Sequence, residues 1–216
     1  MKAFVYVTPS HARMMDKFLR PSLPKDLLLH VHMAEQVCKS GDYMSEGFVK
    51  CLLDKSRWMY DVVAENQGLR ILFLDADIQF FTEHICQVLN PRLDHVNMVS
   101  INDSKYGGSK VHGSGFIAVN CCEDILKLLS MTNSIMTTTP NLNNQIAINY
   151  AVKRMKMKAS TLDLNMFWSP RLLWKPDRDL NIPSTCIVHH ANWCVTKKDK
   201  MDQLTKARSL MNRFKN

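Results

Sequence analysis

The stretch ILFLDADIQFF, residues 71–81, constrains the fold more than any other part of the chain. Four apolar residues, Ile71 to Leu74, lead straight into Asp75-Ala76-Asp77, after which the sequence turns apolar again. Arg70 to Leu74 reads as a short strand buried on both faces, as in a parallel sheet. The two carboxylates then stand at its carboxyl end, where open α/β sheets bind ligands. In extended geometry, side chains at i and i+2 point to the same side. Carboxylates so placed repel each other unless something positive lies between them. A divalent cation meets that need, and hard oxygen ligands suit Mn²⁺ or Mg²⁺. A pair of turn or capping aspartates is the plain alternative. Charges embedded between apolar runs need a partner, and that favours the cation.

A second chemistry shares this pattern. Phosphatases and mutases of the haloacid dehalogenase class use the first aspartate of DxDx(T/V) as a nucleophile. Here Gln79 holds the Thr/Val position, and the stretch follows two predicted strands rather than opening the fold. That reading stays as an alternative.

The rest of the chain supports an α/β class. Lys2 to Val7 reads as a first strand, with Ser10 capping a helix to about Leu19. Leu27 to Met33 reads as a second strand. Ser45 is the expected cap of a helix in which Phe48, Cys51, Leu52, Met59, Val62 and Val63 recur at helical spacing, stopped by Gly68. Val96 to Ile101, Phe116 to Asn120 and Thr185 to His189 are further predicted strands. Glu123 to Ser130, Asn144 to Lys153 and the tail read as helices. Strands alternate with helices through the first half, which predicts a mixed, mainly parallel sheet flanked by helices. No Pro-, Gly- or Ser-rich linker and no internal repeat divides the chain, so residues 1–216 are expected to form one domain.

Composition bounds the partners. The chain is 46% hydrophobic and 22% charged, which suits a globular core. No apolar run approaches the roughly 20 residues of a membrane span. The start reads as a strand rather than a signal peptide. Seven cysteines, none in a CxxC pair, fit reduced thiols. A cytoplasmic protein is expected. The net charge is +8, and the segment 197–216 holds seven Lys/Arg against two Asp. This basic C-terminal helix is either a solvated face or the seat of a polyanionic partner. A non-catalytic polyanion-binding module is therefore another alternative. Nucleic acid is not expected, because aromatic residues are not interleaved with these charges.

FLDADIQFF after a helix, followed downstream by GSGFIAVN and NNQIAIN, resembles glycosyltransferases of the GT-A fold. The resemblance is to the nucleotide-diphospho-sugar transferase family, with the glycogenin-like family more distant, and the chain's length is similar to that of a viral member. It covers the chain from the first strand to the late histidine-containing strand. It implies a metal-dependent enzyme that moves a sugar from a UDP-sugar to a glycan or glycoprotein acceptor, with retention at the anomeric carbon. Asp75 and Asp77 would hold Mn²⁺ or Mg²⁺ against the donor's diphosphate, with Ala76 beside it. The pattern His190-Ala191-Asn192-Trp193, followed by lysines, resembles the family's third metal ligand and phosphate-binding lysine. His190 is then the third ligand, Asn192 a donor contact, and Lys197 or Lys198 the cation that neutralises the leaving diphosphate.

Other residues carry two readings each. Lys55 lies in the apolar stripe of its helix and either snorkels or points at the donor, as a lysine does in the glycogenin-like family. Arg57 pairs with phosphate or with an acidic neighbour. Gly113-Ser114-Gly115 is a plain loop or resembles the family's small-residue turn, which places Ser114 and Gly115 by the donor sugar. Asn143-Asn144-Gln145 starts a helix. In the family Asp-Gln stands here, so Asn144 replaces a carboxylate with an amide that still hydrogen-bonds a sugar hydroxyl, beside Gln145. Thr8, ending the first strand, would sit by the nucleoside. Asp163, Asn165 and Trp168 line an acceptor side or only pack a loop. Cys186 and Cys194 flank the histidines at a spacing that matches no common zinc module.

Overall fold

The computed structural model describes residues 1–104, 111–170 and 172–215. The sheet that carries the site begins with β1 (Lys2–Val7), β2 (Leu28–Met33) and β3 (Arg70–Leu74). It is completed by β5 (Met98–Asn102), β6 (His112–Asn120) and β7 (Ala159–Thr161), in the order β2-β1-β3-β6-β5-β7. β1 runs parallel to both β2 and β3, and β5 parallel to β7, whereas β6 is antiparallel to β3 and β5. Three of five pairings are parallel, so the sheet is mixed and mainly parallel.

The apolar run of β3 follows from burial on both faces. Ile71 and Phe73 point to the layer of α2 (Phe48–Glu65), α4 (Glu123–Thr138) and α5 (Asn144–Met155), packing with Met59, Val63, Leu128 and Ile148. Leu72 and Leu74 point the other way, into a core with Leu89 and Leu93 of α3 (Cys86–Leu93). That core also takes Ile78 and Phe80 of β4 (Ile78–Phe80), Phe167 of β8 (Phe167–Trp168) and Val188 of β9 (Val188–His190). These last three strands form a smaller sheet in the order β4-β9-β8. ILFLDADIQFF is thus two strands of two different sheets, with Asp75-Ala76-Asp77 in the turn between them.

Several boundaries differ from expectation. The first helix, α1 (Pro9–Met14), starts after Thr8 with proline in its first turn and continues as a π-helical turn to Leu19. Proline suits this position because the first-turn N–H groups lack helical partners anyway. Helix α2 starts after Gly47, whose φ of 81° suits glycine, and not after Ser45. The Ser45 hydroxyl instead bonds the Asp42 carbonyl at 2.7 Å. Helix α2 ends at Glu65, and Gly68 turns the chain beyond it with φ 80°. Strand β6 starts at His112, so Gly113-Ser114-Gly115 is strand rather than loop. Helix α4 runs on to Thr138, eight residues past Ser130. The late strand is shorter, Val188–His190. The tail is helical as α6 (Lys197–Lys215). Its start is a reciprocal cap, in which Asp199 N donates to Thr196 Oγ1 and Thr196 N donates to Asp199 Oδ2. Among the described residues, no helix is long and apolar enough to cross a membrane.

Candidate active site

Strand pairing alone brings three ligating side chains together. Asp75 N donates to the Gly115 carbonyl at 2.8 Å, extending the β3–β6 ladder by one residue. Past the turn, β4 pairs antiparallel with β9, which sets Ile78 opposite His190, and Ala191 N donates to the Asp77 carbonyl at 3.0 Å. His190 Nε2 therefore lies 3.3 Å from Asp77 Oδ1 and 3.6 Å from Asp75 Oδ2. One ligating atom from each of Asp75, Asp77 and His190 fits within 4.8 Å of the other two. Gly115 makes the approach possible. A Cβ there would stand 2.3 Å from His190 Cε1 and 2.7 Å from Asp75 Oδ2.

Alternation along β9 sends the neighbouring His189 the opposite way, where it is wholly buried. Its Nδ1 meets Gln79 Nε2 and its Nε2 meets Gln203 Oε1 of α6, both at 3.0 Å. Burial lowers the His189 pKa to about 3, so this ring is neutral and tautomerically held by its two amides.

Two lysines close the trio. Lys55 of α2, only 5% exposed, binds Asp75 Oδ1, and Lys200 of α6 binds Asp77 Oδ2 at 2.6 Å. Burial works to raise both carboxyl pKa values. The Lys55 charge and the neighbouring His190 ring outweigh it at Asp75 and hold that carboxyl at about 2. Lys200 and His190 do the same at Asp77, which stays well below the usual range. Burial disfavours imidazolium, yet the carboxylates, Asp77 first, lift His190 to about 9. Two ionised carboxylates and an imidazole are a donor set suited to a hard or borderline divalent ion, with Mn²⁺ accepting both kinds of ligand. The residues fit the ion that the sequence anticipates.

The trio lines a cavity of about 640 Å³, within the range of small-ligand sites. Thr8, Lys55, Ala76, Ser114, Asn144, Gln145, Asn192 and Lys197 all line it. Asn144 is 2% exposed, and its Nδ2 has no hydrogen-bond partner among the described residues. Its neighbour Asn143 caps α5 through Ile146 N. Gly115 lies behind the trio rather than on the wall. Two candidates are elsewhere. Arg57 faces solvent and meets Asp54 at 3.8 Å. Lys198 is 80% exposed and pairs with Asp202, one helical turn along. Asp163 is exposed and bonds Asn165 N, while Trp168 packs against His189. Cys186 and Cys194 are buried in an apolar cluster, where burial raises each thiol to about 12.

Lys200 escaped the sequence reading, although helical phase points to it. Gln203, Leu204, Ala207 and Met211 are the buried face of α6, and Lys200 lies on that face whereas Lys198 does not. Asp103 escaped too. Like Asp75, it follows directly on a strand. It lines the cavity and accepts from Gln145 Nε2 at 2.8 Å, Asn192 Nδ2 at 3.1 Å and Trp193 Nε1 at 3.0 Å.

This architecture is shared with solved glycosyltransferases. One is a glycosyltransferase involved in the glycosylation of the major capsid of PBCV-1, with a TM-score of 0.65 and 10% identity over 94% of this chain and 98% of that one. Another is the galactosyltransferase LgtC in complex with donor and acceptor sugar analogues, at a TM-score of 0.56 and 10% identity over 96% of each chain. The apo-form glycosyltransferase GlyE of Streptococcus pneumoniae TIGR4 follows at 0.58 and 12% identity, covering 99% of this chain and 62% of that one. At such identities these likenesses establish the GT-A-like fold. A comparison with curated proteins finds no match. The model of the nucleotide-diphospho-sugar transferases matches residues 12–204. The chain belongs to that family, and is a glycosyltransferase.

Proposed function

We propose that this enzyme transfers a glycosyl group from a UDP-sugar to a hydroxyl of a glycan or glycoprotein acceptor, with retention, using Mn²⁺ or Mg²⁺ held by Asp75, Asp77 and His190. The observation that carries this reading is the Asp75–Asp77–His190 trio on the cavity wall, with Lys55 and Lys200 beside it. When bound, the ion supplies Lewis-acid stabilisation of the departing diphosphate. Lys55 and Lys200 contribute fixed positive charge in a recess that excludes much of the water, where such charge acts strongly. Lys197 adds a third cation on the cavity wall. Thr8 and the rings of Tyr6 and Tyr43 line the nucleoside side. Asn144 Nδ2, buried and unpaired among the described residues, has a sugar hydroxyl as its partner, with Ser114 and Gln145 beside it. A donor left unpaired in the free protein favours a ligand that completes it.

Retention is supported by the carboxylate inventory. Among the described residues that line the cavity, the acids are Asp75, Asp77 and Asp103. The first two face the ion, and Asp103 already accepts three hydrogen bonds. None is free to act as a general base toward the acceptor. In a retaining reaction the leaving phosphate takes the acceptor's proton, so no such base is needed.

The test is calorimetric titration with UDP, with and without Mn²⁺, on the native protein and an Asp75→Ala/Asp77→Ala double variant. Binding that needs Mn²⁺ and disappears in a folded double variant is the expected result. A panel of UDP-sugars, with product anomers read by NMR, then gives donor and stereochemistry. Failure to bind UDP with any divalent ion overturns the reading.

A further inference from the structure

All four carboxylate oxygens of the trio are already engaged. Asp75 gives Oδ1 to Lys55 and Oδ2 to His190, and Asp77 gives Oδ1 to His190 and Oδ2 to Lys200. With the His190 imidazole neutral, as ligation of an ion requires, two carboxylates and two ammonium groups cancel in a recess where Asp77 is 2% and Lys55 5% exposed. A divalent ion entering alone, with the imidazole neutral, leaves two positive charges uncompensated at short range and low dielectric. A diphosphate entering alone meets ammonium groups committed to carboxylates. When both enter together, the ion takes the carboxylates, the diphosphate takes the lysines, and the net charge of the recess stays near zero.

Resting on the nucleotide-sugar reading, we propose that cation and diphosphate bind as a unit through an exchange of partners, in which Lys200 and Lys55 release Asp77 and Asp75 to the ion and re-pair with phosphate oxygens. Lys200 is the principal arm. It projects from the first turn of α6, its side chain keeps 24% exposure, and it lines the cavity within reach of both partners. Lys55, at 7% side-chain exposure, moves less. The exchange is a coupling between two ligands of one site, and linkage makes it reciprocal. Diphosphate tightens the ion by the same factor by which the ion tightens diphosphate.

The experiment follows free Mn²⁺ by its EPR signal during titration of the full chain, with and without UDP. It uses the native protein and Lys200→Met. In the native protein, UDP is expected to tighten Mn²⁺ by at least about tenfold. Lys200→Met is expected to tighten Mn²⁺ alone by about tenfold, because a competitor is gone. It should also weaken UDP at saturating Mn²⁺, so that the coupling factor falls toward one. Lys55→Met gives the same readout at Asp75 should Lys200→Met not fold, and the native coupling factor needs no variant. A native coupling below about twofold overturns the exchange even where UDP binding is Mn²⁺-dependent. Mn²⁺ affinity unchanged or lowered in both lysine variants does so too. UDP that fails to bind native protein with any ion overturns the nucleotide reading and the exchange together.

Discussion

Asp75 and Asp77 are one residue apart, yet opposite ends of the chain hold them. Asp75 is secured by its own half of the fold, through the β3–β6 ladder and a lysine 20 residues upstream, and its side chain keeps 30% exposure. Asp77 is secured by the C-terminal half, through His190, the Ala191 amide and a lysine 123 residues away, and its side chain keeps 3%. The difference teaches a division of labour. Asp75 is the arm nearer the ligand, and Asp77 is the anchor that ties β9 and α6 to the turn.

The largest expected effect tests that asymmetry. Asp77→Ala strips a partner from the buried His190 and the half-buried Lys200, and removing one member of a buried pair costs about 3–5 kcal/mol. Asp75→Ala should cost less than half as much by urea denaturation, while Mn²⁺-dependent UDP binding disappears in both. Equal losses of stability, or the reverse order, would remove the distinction between arm and anchor.

Gly115→Ala probes the joint between the two halves. The added methyl lands on His190 and Asp75, and overpacking of this kind costs about 1–3 kcal/mol. Mn²⁺ affinity should fall more than tenfold, since neither ligand can keep its place. Unchanged Mn²⁺ binding would show that the close approach of Gly115 is dispensable.

Titration separates the two halves more gently. For His190, raised from 6.5 to about 9, the stabilisation is complete below about pH 6.5 and is lost as pH climbs toward 9. For Asp75, lowered from 3.8 to about 2, it is complete above about pH 4 and is lost as pH falls toward 2. Without added metal, the melting temperature should therefore hold a plateau between these limits and decline on both sides. Mn²⁺ should flatten the alkaline decline, because the ion takes the neutral imidazole. Thermal melts across about pH 2 to 9, with Mn²⁺ or with EDTA over the alkaline part, read this directly. An alkaline limb that ignores Mn²⁺ would count against His190 as a ligand.

The smallest effects belong to the outward cations. Arg57→Ala and Lys198→Ala should each change UDP affinity by less than about twofold, because both side chains face solvent and pair with local acids. A tenfold loss at Lys198 with none at Lys200 would mean that α6 presents a different face when ligand binds.

Much of this was legible in the chain. The apolar run before Asp75 announced a strand buried on both faces, and the periodicity of α2 put Lys55 on its inward side. Asn143-Asn144-Gln145 announced a helix start. What stayed hidden depended on pairing or phase. The two strands within ILFLDADIQFF could not be told apart, because a three-residue strand carries no period of its own and β4 exists only through β9. Gly113-Ser114-Gly115 looked like a loop because small residues have weak strand preference. It is strand because the paired residues on either side, His112 opposite Asn102 and Phe116 opposite Leu74, hold it extended, and Asp75 N bonds the Gly115 carbonyl.

By itself the sequence determined the class of fold, the place of the two carboxylates at a strand end, and the need for a positive charge between them. These follow from local rules, namely burial, alternation and the cost of an unpaired charge. Which cations answer that need was decided by tertiary structure alone. Lys200 reaches Asp77, and Lys198 does not, because α6 packs with Leu204, Ala207 and Met211 inward. The rotation of a helix about its axis is set by what it packs against.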